Sequence, residues 1–337
     1  MSQVGRWASR LLEGAETGAG PGGLAPAAAA LLAQQRAEWP LLAAGYEALG
    51  EAEVRPLRIR EAQVLVQHNP GRRVSTTADV AAAAAGERPC FLCPEALPPE
   101  EKGVAFGRDY VVLCNPFPIL DRHLSVVHRE HVPQRLSGRV GAFLDLAAGL
   151  GPEYFVLYNG PRCGASAPDH LHFQACARRQ LPVEADAAGR PLAPVQGSGG
   201  GWAVLRPEAL GRSIIVLKAR AREVLIGWIE TVLQALPSAD GKEPLVNLVC
   251  AAGGDSLAAY VFPRARHRPA AFFAEGDERL VVSPGAIDMA GVVVAPERRD
   301  FERLDAARVA AILEEVTLPG EAAAAAAASL GRAPGVG

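Results

Sequence analysis

The sequence lacks any long uninterrupted apolar run, which excludes a membrane-spanning helix as its organising element. Its first 23 residues carry Arg6, Arg10 and scattered glutamates but no apolar core followed by a cleavage pattern, so no secretory signal is expected. An excess of one charge is also missing. With 34 Lys+Arg against 37 Asp+Glu, the net charge of −3 gives no bulk electrostatic reason to bind a nucleic acid polymer or an anionic membrane, although a local basic pocket stays open. Cysteines are sparse: the six, at positions 90, 93, 114, 163, 176 and 250, do not resemble the dense framework of a small secreted scaffold, and the expected compartment is the reducing cytoplasm. What is present, 49% hydrophobic and 21% charged residues in 337, suits one large globular domain or two smaller ones.

Residues 24 to 60 are rich in Ala, Leu, Glu and Arg and read as a helical preface, with Ala27 to Trp39 helical and Pro40 ending or kinking it. A second alanine run lies at Ala81 to Ala85, and the Ala-rich tail from residue 319 to Gly337 is expected to fray. Between them lie two sets of short apolar runs, each with a helix inserted. The first comprises Gln63 to Gln67, Tyr110 to Cys114, Leu124 to Val127, a helix near Val140 to Leu150, Tyr154 to Tyr158 and His170 to Cys176. The second comprises Trp202 to Leu205, Ile214 to Leu217, a helix near Arg220 to Leu236, Leu245 to Cys250, Ala258 to Phe262, Leu280 to Ser283 and Val292 to Val294. The segments YFVLYNGPRCGASAPDHLHFQACAR and PLVNLVCAAGGDSLAAYVFPRARHR share a plan of strand, Gly-rich turn, strand and basic exit, which suggests an internal repeat. The expected division is a helical extension over 1–60, a chemical half over 61–186, a Gly-rich link over 187–201, a degenerate half over 202–318 and a flexible tail.

Chemistry concentrates in the first half, because the second has Tyr260-Val261-Phe262 where the first has a His-x-His. On a strand, His170, His172 and Gln174 face one way, and Leu171, Phe173 and Ala175 face an apolar layer. A row of two imidazoles and a carboxamide is poorly suited to a core, and an unprotonated imidazole is a nucleophile available at neutral pH. The preceding turn, Gly160 to Asp169, offers Gly164, Ala165 and Ser166, small residues whose backbone N–H groups, with the Ser166 hydroxyl, suit an anion. Alone, a His-x-His pair fits surface decoration or a metal pair equally well. Its adjacency to the small-residue turn, with Gln174 in register, favours a site.

The segment YNGPRCGASAPDHLHFQA resembles the nucleotidyl-transferring branch of the histidine-triad superfamily, which includes galactose-1-phosphate uridylyltransferase, diadenosine tetraphosphate phosphorylase and the GDP-hexose phosphorylases. The stretch VVLCNPFPILDRHLSVVHREHVPQ is similar to that superfamily's strand-turn-strand, and SPGAIDMAGVVVAPERRDFERL is similar to the C-terminal portion of an uncharacterised bacterial group within the branch. The resemblance implies an α+β fold of two tandem histidine-triad-like halves, mainly antiparallel sheets with flanking helices. It implies a double displacement in which His172 takes a nucleotidyl group from a nucleotide sugar or dinucleoside polyphosphate, and phosphate or a sugar phosphate then accepts it. Gln174 and Ser166 would stabilise charge on the phosphorus. Hydrolases of the superfamily usually carry a third histidine where Gln174 stands, and a carboxamide has no tunable proton to give, so transfer or phosphorolysis is expected over hydrolysis. The alternatives are a hydrolase with the same intermediate and a non-catalytic, zinc-stabilised nucleotide-binding protein. Members of the superfamily often pair, so a homodimer is open.

Cys90-Phe91-Leu92-Cys93 has zinc-ligand spacing but is half a site, compatible also with a redox pair or two packed thiols. The resemblance implies a structural zinc held by Cys90, Cys93, His131 and His170, with His123 or His128 as substitutes for His131, although other members of the branch lack it. No organic cofactor is expected. For substrate the expected contacts are Asn159 and the Gly164 to Ser166 turn, Asn115 and Phe117 at the base, and Arg266 and Arg268 for the incoming phosphate or sugar phosphate. Arg72 and Arg73 are open to a phosphate contact, although arginines after Asn-Pro-Gly usually just sit on a loop, and His68 reads as structural.

Overall fold

The computed structural model describes residues 3–12, 23–77, 89–195, 199–239 and 241–331. The alanine run at 81–85, residues 196–198 of the expected link and the last six residues lie outside that set. Among the described residues the strands form two sheets. β1 (Glu53–Ile59) and β2 (Ala62–His68) make a hairpin, and β13 (Val292–Ala295) joins β2 in parallel. The other sheet contains β3 (Gly103–Phe106), β4 (Tyr110–Cys114), β5 (Leu124–His128), β6 (Tyr154–Asn159) and β7 (His172–Ala177). It continues with β8 (Ala193–Val195), β9 (Gly200–Leu205), β10 (Ile214–Ala219), β11 (Val246–Gly253) and β12 (Ser256–Pro263). The order is β3-β4-β5-β7-β6-β11-β12-β10-β9-β8, and every pairing is antiparallel.

That order carries the repeat. Read from either edge to the middle, each half runs edge hairpin, third strand, then a swapped final pair, and the halves meet where β6 pairs β11. Each half also inserts one helix at the same place, Val140–Leu150 between β5 and β6 and Arg222–Ala235 between β10 and β11. The fold is thus mixed α+β, with a large antiparallel sheet and flanking helices.

Two apolar layers clothe the sheet. One face packs against the helices Leu24–Glu38, Pro40–Gly50, Val140–Leu150, Arg222–Ala235 and Gly320–Ala328. The other packs against the three-stranded sheet and the C-terminal segment from Leu280 to Val316. β7 spans both. Leu171, Phe173 and Ala175 join the helical layer while Cys176 joins the opposite one, as the period-2 alternation requires. Phe173 lies 5.4–6.1 Å, ring to ring, from Tyr110, Phe143 and Tyr158, and this aromatic cluster fixes the register. A slip of one residue would drive His172 into the apolar layer.

Three local expectations are corrected. The N-terminal extension is not all helical, because Glu53–Ile59 is β1; its alternating exposure, with Ile59 buried, marks a half-buried strand. At Pro40 the expectation holds: the first helix stops at Glu38, and Pro40 begins a second one in the first position, where its missing N–H costs nothing. Leu280 to Ser283 forms no strand and runs as an irregular wall before Pro284. The Ala-rich tail is helical over Gly320–Ala328, with Ala323, Ala326, Ala327 and Leu330 buried, because alanine has the highest helix propensity and its small side chain allows close approach to the sheet.

Candidate active site

His172 opens β7, and His170 lies just before it, in the turn that Pro168 and Asp169 impose, not on the strand as its spacing suggested. The β6–β7 ladder runs from Tyr154↔Ala177 to Leu157↔Gln174 and then opens. In the gap sits Gln134, whose carboxamide acts as a surrogate peptide: its Nε2 donates to Asn159 O (2.8 Å) and His172 O (3.0 Å), and its Oε1 accepts from His172 N (2.8 Å). Two strand ends are thereby held apart without orphaned backbone groups.

The His172 ring is buried, and burial lowers its pKa, so the imidazole is neutral. Its Nδ1 lies 2.8 Å from the carbonyl oxygen of His170, which can only accept, so Nδ1 carries the proton and Nε2 holds the lone pair. Gln174 is set by a similar relay. Ile119 N donates to His123 Nδ1 (3.1 Å), leaving the proton on Nε2, which donates to Gln174 Oε1 (3.2 Å). The Gln174 NH₂ is therefore the end turned to the open side. His123 is fully buried, and burial with the nearby Arg72 charge pushes its pKa down to about 3.

Two chambers meet here. The larger, about 390 Å³, is lined mainly by apolar groups, Trp39, Leu41, Phe91, Leu97, Leu113 and Phe117 among them, with His172 and Asn115 in its wall. The smaller is about 60 Å³. It is lined by Asn159, Gly164, Ala165, Ser166, His267, Arg268, Ser283 and Asp288. Arg72, Ser166 and Gln174 line both. Arg72 donates from Nη1 to Phe117 O (2.9 Å), and its buried Nε has no hydrogen-bond partner among the described residues. A cationic donor, a hydroxyl and an amide thus converge at the junction beside a neutral imidazole, a set suited to the spreading negative charge of a phosphoryl group in transfer.

The small chamber's walls come from opposite ends of the chain. Gly164 has φ +97°, open only to glycine without strain, and a Cβ there would stand 3.0 Å from Gly285 Cα. Asn159 Oδ1 accepts from Ala286 N (2.8 Å) and from Asn247 Nδ2 (2.8 Å), and Asn247 also donates to Cys163 O (2.6 Å). Behind them the fully buried Arg264 donates to Asn247 Oδ1 and to Pro284 O. Arg268 enters the chamber wall, donating to Ser283 Oγ (2.9 Å) and Thr76 O (2.9 Å). Arg266 does not: its side chain is more than half exposed and ion-paired with Glu315 at 2.8 Å, which removes it from the expected phosphate contacts.

Cys90, Cys93, His131 and His170 come together, their ligand atoms all within 4.8 Å of one another. Cys90 Sγ lies 3.2 Å and Cys93 Sγ 3.7 Å from His170 Nδ1, and Cys93 Sγ lies 3.3 Å from His131 Nδ1. Tetrahedral bonds of ~2.3 Å to sulfur and ~2.0–2.1 Å to nitrogen imply S···N separations of about 3.5 Å. Both rings are oriented through their other nitrogen, His170 Nε2 to His128 O (2.7 Å) and His131 Nε2 to the Asp169 carboxylate (3.3 Å), the usual outer support of a metal-binding imidazole. The four residues can hold a metal ion. His123 and His128 take other roles, one in the Gln174 relay and the other accepting from Glu130 N. His68 packs its ring 5.7 Å from Phe301.

Sequence reasoning missed Gln134, His123 as a site residue, Glu101 and the Ser283–Asp288 wall. Glu101 lies in no motif, and the others lie in stretches similar to the family without a pattern that marks them; each reaches the site through the turn or loop that carries it.

A family model described as a domain of unknown function, DUF4922, matches residues 31–177, the stretch that holds Cys90, Cys93, His131, His170 and His172. No curated protein matches the chain. Among solved structures, yeast Ap4A phosphorylase Apa2 in complex with AMP is similar with a TM-score of 0.56 at 19% identity, covering 86% of this chain and 97% of that one. The same yeast protein in complex with Ap4A gives 0.57 at 17% identity, covering 86% and 98%. The likeness spans both halves of the large sheet and gives the class of fold.

Proposed function

We propose that the chain is a nucleotide phosphorylase or nucleotidylyltransferase acting through a covalent nucleotidyl-His172, with a nucleotide sugar or dinucleoside polyphosphate as donor. The observation that carries this is the position of His172. Its neutral ring, proton on Nδ1 and lone pair on Nε2, faces the chamber junction where Arg72, Ser166 and Gln174 supply donors. The apolar chamber would take the nucleoside, and the polar one the departing and then the incoming phosphate, with Arg268 and Asn159 in its wall. Similarity of fold to a protein named as an Ap4A phosphorylase is consistent with this.

In the first step Nε2 attacks the α-phosphorus, forming the P–N bond as the bond to the bridging oxygen breaks. The leaving group departs as a phosphate oxyanion, and the imidazole, now formally cationic, keeps its Nδ1–H on the His170 carbonyl. In the second, an oxygen of phosphate or a sugar phosphate attacks in line, and the P–N bond breaks to restore the neutral ring. Gln174 donates to a non-bridging oxygen in both steps and cannot take a proton from an attacking water, which favours a phosphate acceptor. Cys90, Cys93, His131 and His170 would hold a structural zinc ion, and its chemistry there is to tie the turn before β7 to the cysteine loop.

Incubation with a radiolabelled dinucleoside polyphosphate or nucleotide sugar tests the reading. The expected result is an acid-labile nucleotidyl adduct that phosphate discharges as a nucleoside diphosphate. No adduct on the wild type, or an equal one on His172→Ala, would overturn it.

A further inference from the structure

We infer that the apolar chamber selects a guanine base, Glu101 accepting from its N1–H and N2 amino group while Asn115 donates to O6; this rests on the nucleotide reading above. Glu101 is 6% exposed and lines that chamber among Leu97, Leu113 and Cys114. Among the described residues no hydrogen bond or ion pair engages its carboxyl group, and Arg10, the cation whose charge acts on it, spends its guanidinium on the carbonyls of Pro98 (2.6 Å) and Leu97 (2.9 Å). A carboxyl group held unpaired in an apolar wall costs free energy unless a ligand supplies donors. Burial raises its pKa to about 7, so it is readily ionised when donors arrive.

Asn115 provides the complement. Its Oδ1 accepts from Phe117 N at 3.0 Å, which fixes the amide and leaves the Nδ2 hydrogens as the free end. An acceptor pair beside a donor matches the edge of guanine, which shows two adjacent N–H donors and a carbonyl. Adenine shows a ring acceptor where guanine has N1–H, and an ionised carboxylate opposes it. The chamber is also built for a flat ring. Of five large apolar side chains exposed among the described residues, three, Leu41, Phe91 and Phe117, line it. Apolar and aromatic surface left open at a pocket mouth suits stacking of a base.

Calorimetric titration of the full-length protein with GMP and with AMP, at a pH above 7, tests the assignment. The wild type should bind GMP roughly ten- to a hundredfold more tightly, the size of one bidentate contact. Glu101→Gln should lose that preference and shift toward AMP, because a carboxamide can donate to adenine N1 and accept from N6. Glu101→Asp, which keeps the charge but retracts it, should weaken GMP without gaining AMP, and covers the case in which the glutamine variant does not fold. A wild-type preference for AMP, or an unchanged ratio in Glu101→Gln, overturns the guanine assignment and leaves nucleotidyl transfer standing. If neither GMP nor AMP binds, the guanine assignment and the nucleotide reading both fall.

Discussion

At the scale of single residues the site depends on where protons sit, and two histidines hold them by burial. His123 is the clearer case, since its tautomer is dictated by Ile119 N and in turn aims the Gln174 amide. In His123→Asn the Oδ1 can still accept from Ile119 N, but nothing donates to Gln174 Oε1, so that amide can turn either way. Removing one oriented donor from a developing oxyanion costs on the order of a hundredfold in rate. His123→Asn should therefore lower kcat roughly ten- to a hundredfold with little change in KM. Combined with Gln174→Ala it should cost no more than Gln174→Ala alone, because both act through one bond. Steady-state kinetics of the double-mutant cycle decide; losses that multiply would break the proposed coupling. The same residue sets a pH dependence. His123 has a folded pKa of about 3 against an ordinary value near 6.5 unfolded, so between those values the unfolded chain binds more protons and stability falls as pH falls. From pH 7 to pH 5 the loss from this group is about 2 kcal/mol. Urea denaturation at the two pH values should show it in the wild type and show less of it in His123→Asn; an equal slope in both would remove His123 as the source.

At the scale of elements, the site is made by segments that are not themselves regular. The turn before β7 positions His170 outward to the cysteines and His172 inward, and Gln134 keeps the strand ends open between them. The cysteine loop faces two ways as well: Cys90 and Cys93 meet the histidines, and Phe91 and Leu92 line the apolar chamber. If Cys90, Cys93, His131 and His170 hold an ion, its loss should loosen both the turn that carries His172 and the chamber wall. Cys90→Ser should purify without metal, unfold several degrees lower and form adduct at least tenfold more slowly. Metal analysis beside thermal unfolding checks this, and a metal-free wild type of unaltered stability would refute the structural ion. Much of this was legible. Tyr110–Cys114 and Val140–Leu150 have the bounds their patterns give, because an apolar run between turn residues specifies a buried strand, and Phe143, Leu144, Ala147 and Leu150 repeat at helical spacing. His170 was misplaced since period 2 says nothing about where a strand starts; Pro168 and Asp169 were the available signal. β1 was lost among charged residues because one of its faces is wet. Gln134, Glu101 and His123 were invisible as site residues because each acts through partners distant in sequence.

At the scale of the whole molecule, the two halves share a strand order, and a chain of buried hydrogen bonds ties the second to the chamber wall of the first. The link runs from Arg264 at the end of β12, through Asn247 on β11, to Asn159 on β6, and ends on the backbone of Ala286 and Cys163 at the small chamber. Every member but Asn159 is buried, and the Arg264 charge has no carboxylate within ion-pair distance among the described residues; its compensation is carbonyl oxygens. Such a network is costly when half satisfied. Asn247→Leu removes an acceptor from a buried guanidinium and a donor from Asn159 and Cys163, and should cost about 3–5 kcal/mol, the range seen when one partner of a buried charged group is lost. Asn247→Asp separates stability from function. It keeps an acceptor for Arg264 and adds a charge that pairs with it, but it turns an acceptor toward Asn159 Oδ1 and Cys163 O, where two acceptors repel. Its stability loss should be clearly smaller than that of Asn247→Leu, while its rate of adduct formation should fall at least tenfold, because Asn159 and the Gly164 turn lose their shared anchor. Urea denaturation and adduct kinetics on the two variants test this. If Asn247→Asp keeps wild-type adduct kinetics, the second half does not govern the geometry of the first through this chain of side chains.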